Sequence, residues 1–424
     1  MSDEAELGSR FLQAYASGGT EAARAFVKDN AAVLRQNIFA AAAFGSAEDV
    51  AALLAAGTDP NAAIPTEHEG HLAIPVLYTA CVLGNAATAR VLLEAGANPN
   101  DGESIYHAAE NDHRPCLELL LAHGGELSAA HAHWGNTPLY FLSGYQASDP
   151  RRPTVERGMA WLLKHGADPN VPSYLDSSDP KAMGSGEVPL HRLAANGWDA
   201  DVIRTFVGHG AQVDASRADG RTPYAIAVRT GNVGVAQVLL LLGADASKLS
   251  VIDRLIGACA IGDGEQARAL AATRDSAQAA ELAAWRVAMP ADDHFVFLRA
   301  CGDGRAASVP LFAEQGWSLT REGPWGGTAL HWAAWFGRPA CVRLLLDAGA
   351  PVNVRDATYG SSPIAWGAHG SLNSRPGHDD DYLAVIELLA DAGSTRAESI
   401  NQWDQVPESM ASERVAAAVT RWAT

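Results

Sequence analysis

A self-similar period of 33 to 34 residues constrains this chain more than any other feature of its sequence. The fullest copy reads GTALHWAAWFGRPACVRLLLDAGAPVN, from Gly327 to Asn353. Shorter copies are TPYAIAVRTGNVGVAQVLLLLGAD (Thr222 to Asp245), VPLHRLAANG (Val188 to Gly197), WLLKHGADPN (Trp161 to Asn170), RVLLEAGANPN (Arg90 to Asn100) and VAALLAAGTDPN (Val50 to Asn61). From Val188 to Thr222, and from Thr328 to Ser362, the step is 34 residues; from Gly210 to Gly243 it is 33. Such a chain grows by stacking one supersecondary unit on the next, so its 424 residues do not require two or three separate cores.

Each copy carries its own start and stop signals. The Thr-Pro opening offers a capping hydroxyl and a proline set for the first helical turn. Paired small residues such as Ala333-Ala334 or Ala108-Ala109 allow close approach of a first helix to its neighbours. A turn follows at Gly84, Gly197, Gly231 or Gly337, and a Val-x-x-Leu-Leu face (Val342, Leu345, Leu346) marks a second, buried helix. Gly349 then supplies the left-handed residue that ends it.

With its T-P-L-H-x-A opening and this period, the chain resembles the ankyrin-repeat family over most of its length. The Ala-rich composition and the Gly-Ala-Asp-Pro-Asn endings look like those of bacterial members. The resemblance implies an all-α ankyrin-repeat solenoid of about ten units. Helix pairs are expected near residues 38–57, 75–96, 104–124, 137–166, 188–210, 222–243, 252–272, 295–316, 328–349 and 362–393. Residues 1–36 read as an N-terminal helical cap, two helices with Gly18-Gly19 between them, and 397–424 as a C-terminal capping helix. A first array spans 37–272, with insertions at 143–160 and 172–187; a second spans 294–396, with an insertion at 372–382. The stretch 273–293 between them reads as a degenerate spacer and a plausible kink.

Composition narrows the function. The net charge is −18, from 31 basic and 49 acidic residues, and no run of Lys and Arg is present. Nucleic acid is therefore excluded as the expected partner. The acidic N-terminus MSDEAELGSRFLQ lacks the pattern of a secretory signal, and no apolar stretch reaches the length of a membrane span. Five dispersed cysteines read as small buried hydrophobes in a reducing, cytoplasmic compartment.

In the family, the position after the TPLH histidine and the two before the turn glycine face the binding groove. Here these positions hold Thr79, His107, Phe141, Arg192, Ile226, Arg299, Trp332 and Trp366 on one line. The second line has Val82, Glu110, Asn111, Asn196, Arg229, Asp303, Trp335, Phe336 and His369, with Trp325 at a hairpin tip. Trp and Arg are favoured at interface hot spots because they bury much area and keep a polar handle. The aromatic set reads as a recognition patch for a partner side chain or ligand; packing of Trp332 and Trp366 against the next repeat is the other reading. Arg192 and Arg299 can form an anion-binding rung or ordinary surface ion pairs.

His191 and His331 belong to the TPLH motif and are structural, and His123, His165 and His209 precede capping glycines. His131-x-His133, and His378 with Asp379, Asp380 and Asp381, carry donor atoms but no full metal-ligand spacing. No catalytic motif or cofactor fingerprint occurs. The expected function is binding of a protein partner, one of basic character given the net charge. The competing expectation is a small-molecule pocket or unusual enzyme, with Leu372–Tyr382 closing over Trp332, Trp366 and Arg299.

Overall fold

The computed structural model describes residues 3–65, 73–131, 134–146, 149–173, 186–323, 326–375 and 377–422. An opening helix, α1 (Asp3–Asp29), is kinked at Gly19, whose φ of 63° and ψ of −157° no helix tolerates. This is the Gly18-Gly19 break, made as a kink within one helix. A 3-10 turn (Ala31–Arg35) follows.

Ten helix pairs then run through the described residues. They are α2/α3 (Ile38–Phe44, Ala47–Ala55), α4/α5 (Val76–Val82, Ala86–Glu94), α6/α7 (Ser104–Glu110, Arg114–Ala122), α8/α9 (Pro138–Ser143, Arg152–Lys164) and α10/α11 (Pro189–Asn196, Ala200–Gly208). Next come α12/α13 (Pro223–Arg229, Val233–Leu241) and α14/α15 (Val251–Ile261, Gly264–Ala271). A single helix, α16 (Ser276–Ala288), precedes α17/α18 (Ala291–Gly302, Ser308–Glu314), α19/α20 (Ala329–Trp335, Pro339–Asp347) and α21/α22 (Pro363–Asn373, Asp379–Asp391). The chain closes with α23 (Arg396–Ser399), a 3-10 turn (Pro407–Ser409) and α24 (Glu413–Trp422). A short hairpin, β1 (Ala63–Pro65) with β2 (Ala73–Pro75), pairs antiparallel through Ile64 and Ile74.

The chain divides into two compact units, residues 1–224 with 234–245, and 225–233 with 246–424. Within the first, α2, α4, α6, α8 and α10 stack in sequence, as do α3, α5 and α7. Within the second, α17, α19 and α21 form one row and α18, α20 and α22 another. Small residues permit this. A Cβ on Gly370 in α21 would lie 2.2 Å from the Trp335 carbonyl oxygen of α19, and one on Gly158 in α9 would lie 1.9 Å from that of Ala109.

Two stretches take a form that the sequence does not announce. The 273–293 spacer is helical: α16 is capped by Asp275, which accepts from the Ala277 and Gln278 amides, and it buries Leu282 and Trp285. The division between compact units lies instead in the sixth pair. The 372–382 insertion is largely absorbed by lengthening, since α21 and α22 have 11 and 13 residues where α19 and α20 have 7 and 9. The 172–187 insertion lies mostly outside the described residues, apart from a bridge between Ser173 and Glu187.

Candidate interaction surface

Buried histidines fix the hairpins that carry the surface. In the second unit His331 Nδ1 accepts from the Thr328 amide at 3.1 Å, and Nε2–H donates to the Ser361 carbonyl of the next hairpin at 3.0 Å. That pattern requires the neutral ring, and burial presses its pKa down to about 4. His191 repeats the arrangement in the first unit, from the Val188 amide to the Arg221 carbonyl. His294 donates to Arg321 O at 2.9 Å, a third bridge that the sequence reading missed because its turn lacks the TPLH letters. At the other ends of repeats, His123, His165 and His209 each engage the carbonyl four residues earlier, as C-caps should.

Asp356 organises the aromatic region of the second unit. It is 2% exposed and its carboxylate accepts from the amides of Thr358, Tyr359 and Ser361. The same carboxylate accepts from Trp366 Nε1–H at 3.0 Å. One buried side chain therefore shapes the hairpin and sets the indole. Around it the rings form a chain: Trp335 to Trp366 at 5.9 Å, Trp366 to Tyr359 at 6.0 Å, and Tyr359 to Trp403 at 6.2 Å. His369 lies edge-on to Trp335 at 5.3 Å. Tyr359 is 41% exposed and Trp403 59%. Trp403 belongs to the turn Asn401–Gln405, where Asn401 Oδ1 accepts from the amides of Trp403 and Gln405. Gln402 ties that turn to the hairpin through Tyr359 O and Thr358 O.

Of the sequence-derived residues, Trp335, Trp366 and His369 come together here. Phe336 is half-buried and packs on Trp332, which is itself buried with Nε1–H donating to Gly326 O, so its polar handle is used inside the fold. Trp325 lies outside the described residues. Tyr359 and Trp403 were missed, since neither occupies a first-helix position. The signal available for Trp403 was a lone indole in the polar run NQWDQ.

Other groove assignments resolve differently. Arg229 is 2% exposed, not surface-lining: it pairs with Asp253 and with Asp293, which is fully buried and also accepts from Trp285 Nε1–H at 2.6 Å. Thr79 and Ile226 are likewise buried. Arg299 is half-buried beside Asp303 and Arg305. The acidic run is occupied internally, Asp379 by Ser412, Asp380 by Arg414 and Asp381 by Arg375. Arg375 also donates to the Phe336 carbonyl, and buried Tyr382 to that of Trp335, so the 372–382 stretch is anchored on α19. Leu372, at the end of α21, is 52% exposed.

The first unit carries a different cluster. His107 Nδ1–H donates to Glu110 at 2.6 Å, and Nε2 lies 3.2 Å from Glu103. Burial pushes its pKa down, but the two carboxylates outweigh that and lift it to about 9, so the ring is a cation near neutral pH. Glu103 in turn is held at about 2: burial opposes this, and His107 and His131 overcome it. Glu110 also accepts from Tyr145 and from Arg151. His107 meets Tyr78 and Phe141 edge-on, at 5.1 and 5.6 Å. Arg192 lies over the Tyr140 ring at 4.6 Å. His107 and Phe141 are thus neighbours, while Arg192 and Arg299 belong to different compact units. Among the described residues no group of three or more His, Cys, Asp or Glu is arranged to hold a metal ion.

Stacked two-helix repeats, histidine-bridged hairpins and surfaces built on the first helices define a helical repeat protein. Comparison with known sequences agrees. The family model for ankyrin repeats (three copies) matches residues 38–131 and 155–250, and that for the single ankyrin repeat matches 325–357, together just over half of the chain. The chain belongs to the ankyrin-repeat family, with an all-α ankyrin fold. It is 31% identical to ankyrin repeat and SOCS box protein 11 of Homo sapiens over 151 residues, 36% of this chain and 39% of that protein. It is 38% identical to Inversin-A of Xenopus laevis over 77 residues, 18% of this chain and 7% of Inversin-A. With the calmodulin-binding transcription activator CBT of Oryza sativa subsp. japonica it shares 42% identity over 90 residues, 20% of this chain and 10% of that protein. The chain thus spans less than half the length of each of these relatives.

Proposed function

We propose that the chain is a cytoplasmic protein-interaction module, a scaffold, adaptor or immunity-type protein of bacterial style, holding a protein partner on its first-helix and hairpin surface. Ankyrin repeats generally serve as protein–protein interaction modules, and that generality supports the broad reading. The observation that carries the assignment to this surface is the run of rings Trp335, Trp366, Tyr359 and Trp403, of which Tyr359 and Trp403 are substantially exposed. Contiguous exposed aromatic area of this kind marks a binding site. The net charge of −18 favours a basic partner through steered encounter.

The test is native mass spectrometry of the protein purified at low salt from the cells that make it. The expected result is a polypeptide at defined stoichiometry that is lost on combining Trp335→Ala with Trp366→Ala. A bound small mass with no polypeptide would replace this reading with a ligand-binding one.

A further inference from the structure

We infer that the wedge between Tyr359 and Trp403 takes an arginine side chain of a basic peptide segment in the partner. This rests on the protein-binding reading and specifies the chemistry of what docks. The two rings are 6.2 Å apart and tilted by 44°, so their faces diverge rather than stack. A planar guanidinium entering such a wedge lies within cation–π range of both faces. Both rings are exposed, and the backbone that carries them is held: Tyr359 N–H by Asp356, Trp403 N–H by Asn401, and one turn to the other through Gln402.

The rings of the first unit show what such faces attract. Arg151 lies 4.7 Å from the Tyr145 centroid, Arg152 5.1 Å from Trp198 and Arg192 4.6 Å from Tyr140. Among the described residues no guanidinium or ammonium covers Tyr359, Trp403, Trp366 or Trp335. Acidic residues stand near both rings along the chain: Asp404 follows Trp403 directly, and the Glu322 carboxylate accepts from the Ala357 amide, two residues before Tyr359. The neighbouring cation, Arg355, is engaged with the carbonyls of Gly360 and Ile400. The acidic balance of the whole chain acts in the same direction.

Arginine fits better than lysine because its flat, weakly hydrated guanidinium can stack on one ring face while staying within cation–π range of the other. A proline-rich segment would also lie against exposed rings, but it would gain nothing from the chain's acidic balance.

The test uses the full chain and a synthetic peptide of alternating glycine and arginine, titrated by tryptophan fluorescence. Two control peptides replace every arginine by neutral citrulline or by proline. Trp403→Leu keeps apolar area and net charge while removing the ring face. Arginine-peptide affinity is expected to fall roughly two- to fivefold in Trp403→Leu, and about tenfold when Tyr359→Leu is added. The citrulline peptide should bind far more weakly than the arginine one. Equal affinity for wild type and Trp403→Leu would overturn the inference by reducing binding to long-range charge. Equal or tighter binding of the citrulline or proline peptide would overturn it too. If a polypeptide co-purifies while the arginine peptide neither binds nor competes with it, this inference fails and the protein-binding reading stands.

Discussion

Replacing Arg229 by methionine removes the cation from a buried carboxylate pair and tests how the second unit is held together. Arg229 is 2% exposed, Asp253 5% and Asp293 fully buried, and the three join α12, α14 and the start of α17. Opposite charges about 4 Å apart attract by about 4 kcal/mol at an effective dielectric constant near 20. Loss of one partner of a buried pair typically costs about 3–5 kcal/mol, because the remaining charge stays out of water. Arg229→Met is therefore expected to destabilise the unit by about 3–5 kcal/mol. Adding Asp293→Asn should restore about half of that, because the amide oxygen still accepts from Trp285 Nε1–H while one buried charge is gone. Repeat arrays lose two-state behaviour, so the assay combines urea unfolding with hydrogen exchange of α14, α16 and α17. A loss below about 1 kcal/mol, or no recovery in the double variant, would refute a stabilising buried triad.

Three further outcomes follow from the same structure. His331 has a folded pKa near 4 against 6.5 unperturbed, so its contribution is intact above pH 6.5 and declines by about 3 kcal/mol as pH falls toward 4. Its NMR resonance should not titrate above about pH 5, and titration near 6.5 would contradict the buried neutral bridge. Gly370→Ala forces a Cβ against the Trp335 carbonyl and should cost about 1–3 kcal/mol in urea unfolding. Gly208→Ala, with open space around it at the end of α11, should be neutral or slightly stabilising. Asp356→Ala should lower stability by about 1–3 kcal/mol and weaken peptide binding at Tyr359 and Trp403 by up to about tenfold; unchanged binding would show that the hairpin forms without it.

The repeat period made the ten helix pairs legible because each unit repeats its own caps, small-residue face and Gly stop. Where those letters decay, the reading faltered. Residues 273–293 carry no TPLH to mark a unit, yet Asp275 supplies a cap and Leu282 and Trp285 a buried face. Arg229 sits at a position that faces the groove in regular repeats, but Asp253 and Asp293 approach it from α14 and α17 and bury it. Register alone could not foresee that, because Asp293 is 64 residues away. The candidate surface was half legible for a similar reason. Trp335, Trp366 and His369 follow the first-helix register, whereas Tyr359 and Trp403 reach the patch from a hairpin and a terminal turn joined by Gln402.

Whether a protein partner sits on the aromatic stripe of the second unit is decided by site-specific photo-crosslinking. A photoreactive phenylalanine analogue is placed at Tyr359 and, as a control, at Val287, which is 92% exposed on α16, a helix that packs on α14. One defined polypeptide adduct is expected at position 359, weakened by Trp366→Ala and absent at 287. The same adducts at both positions, or none at 359 while a partner co-purifies, would contradict it.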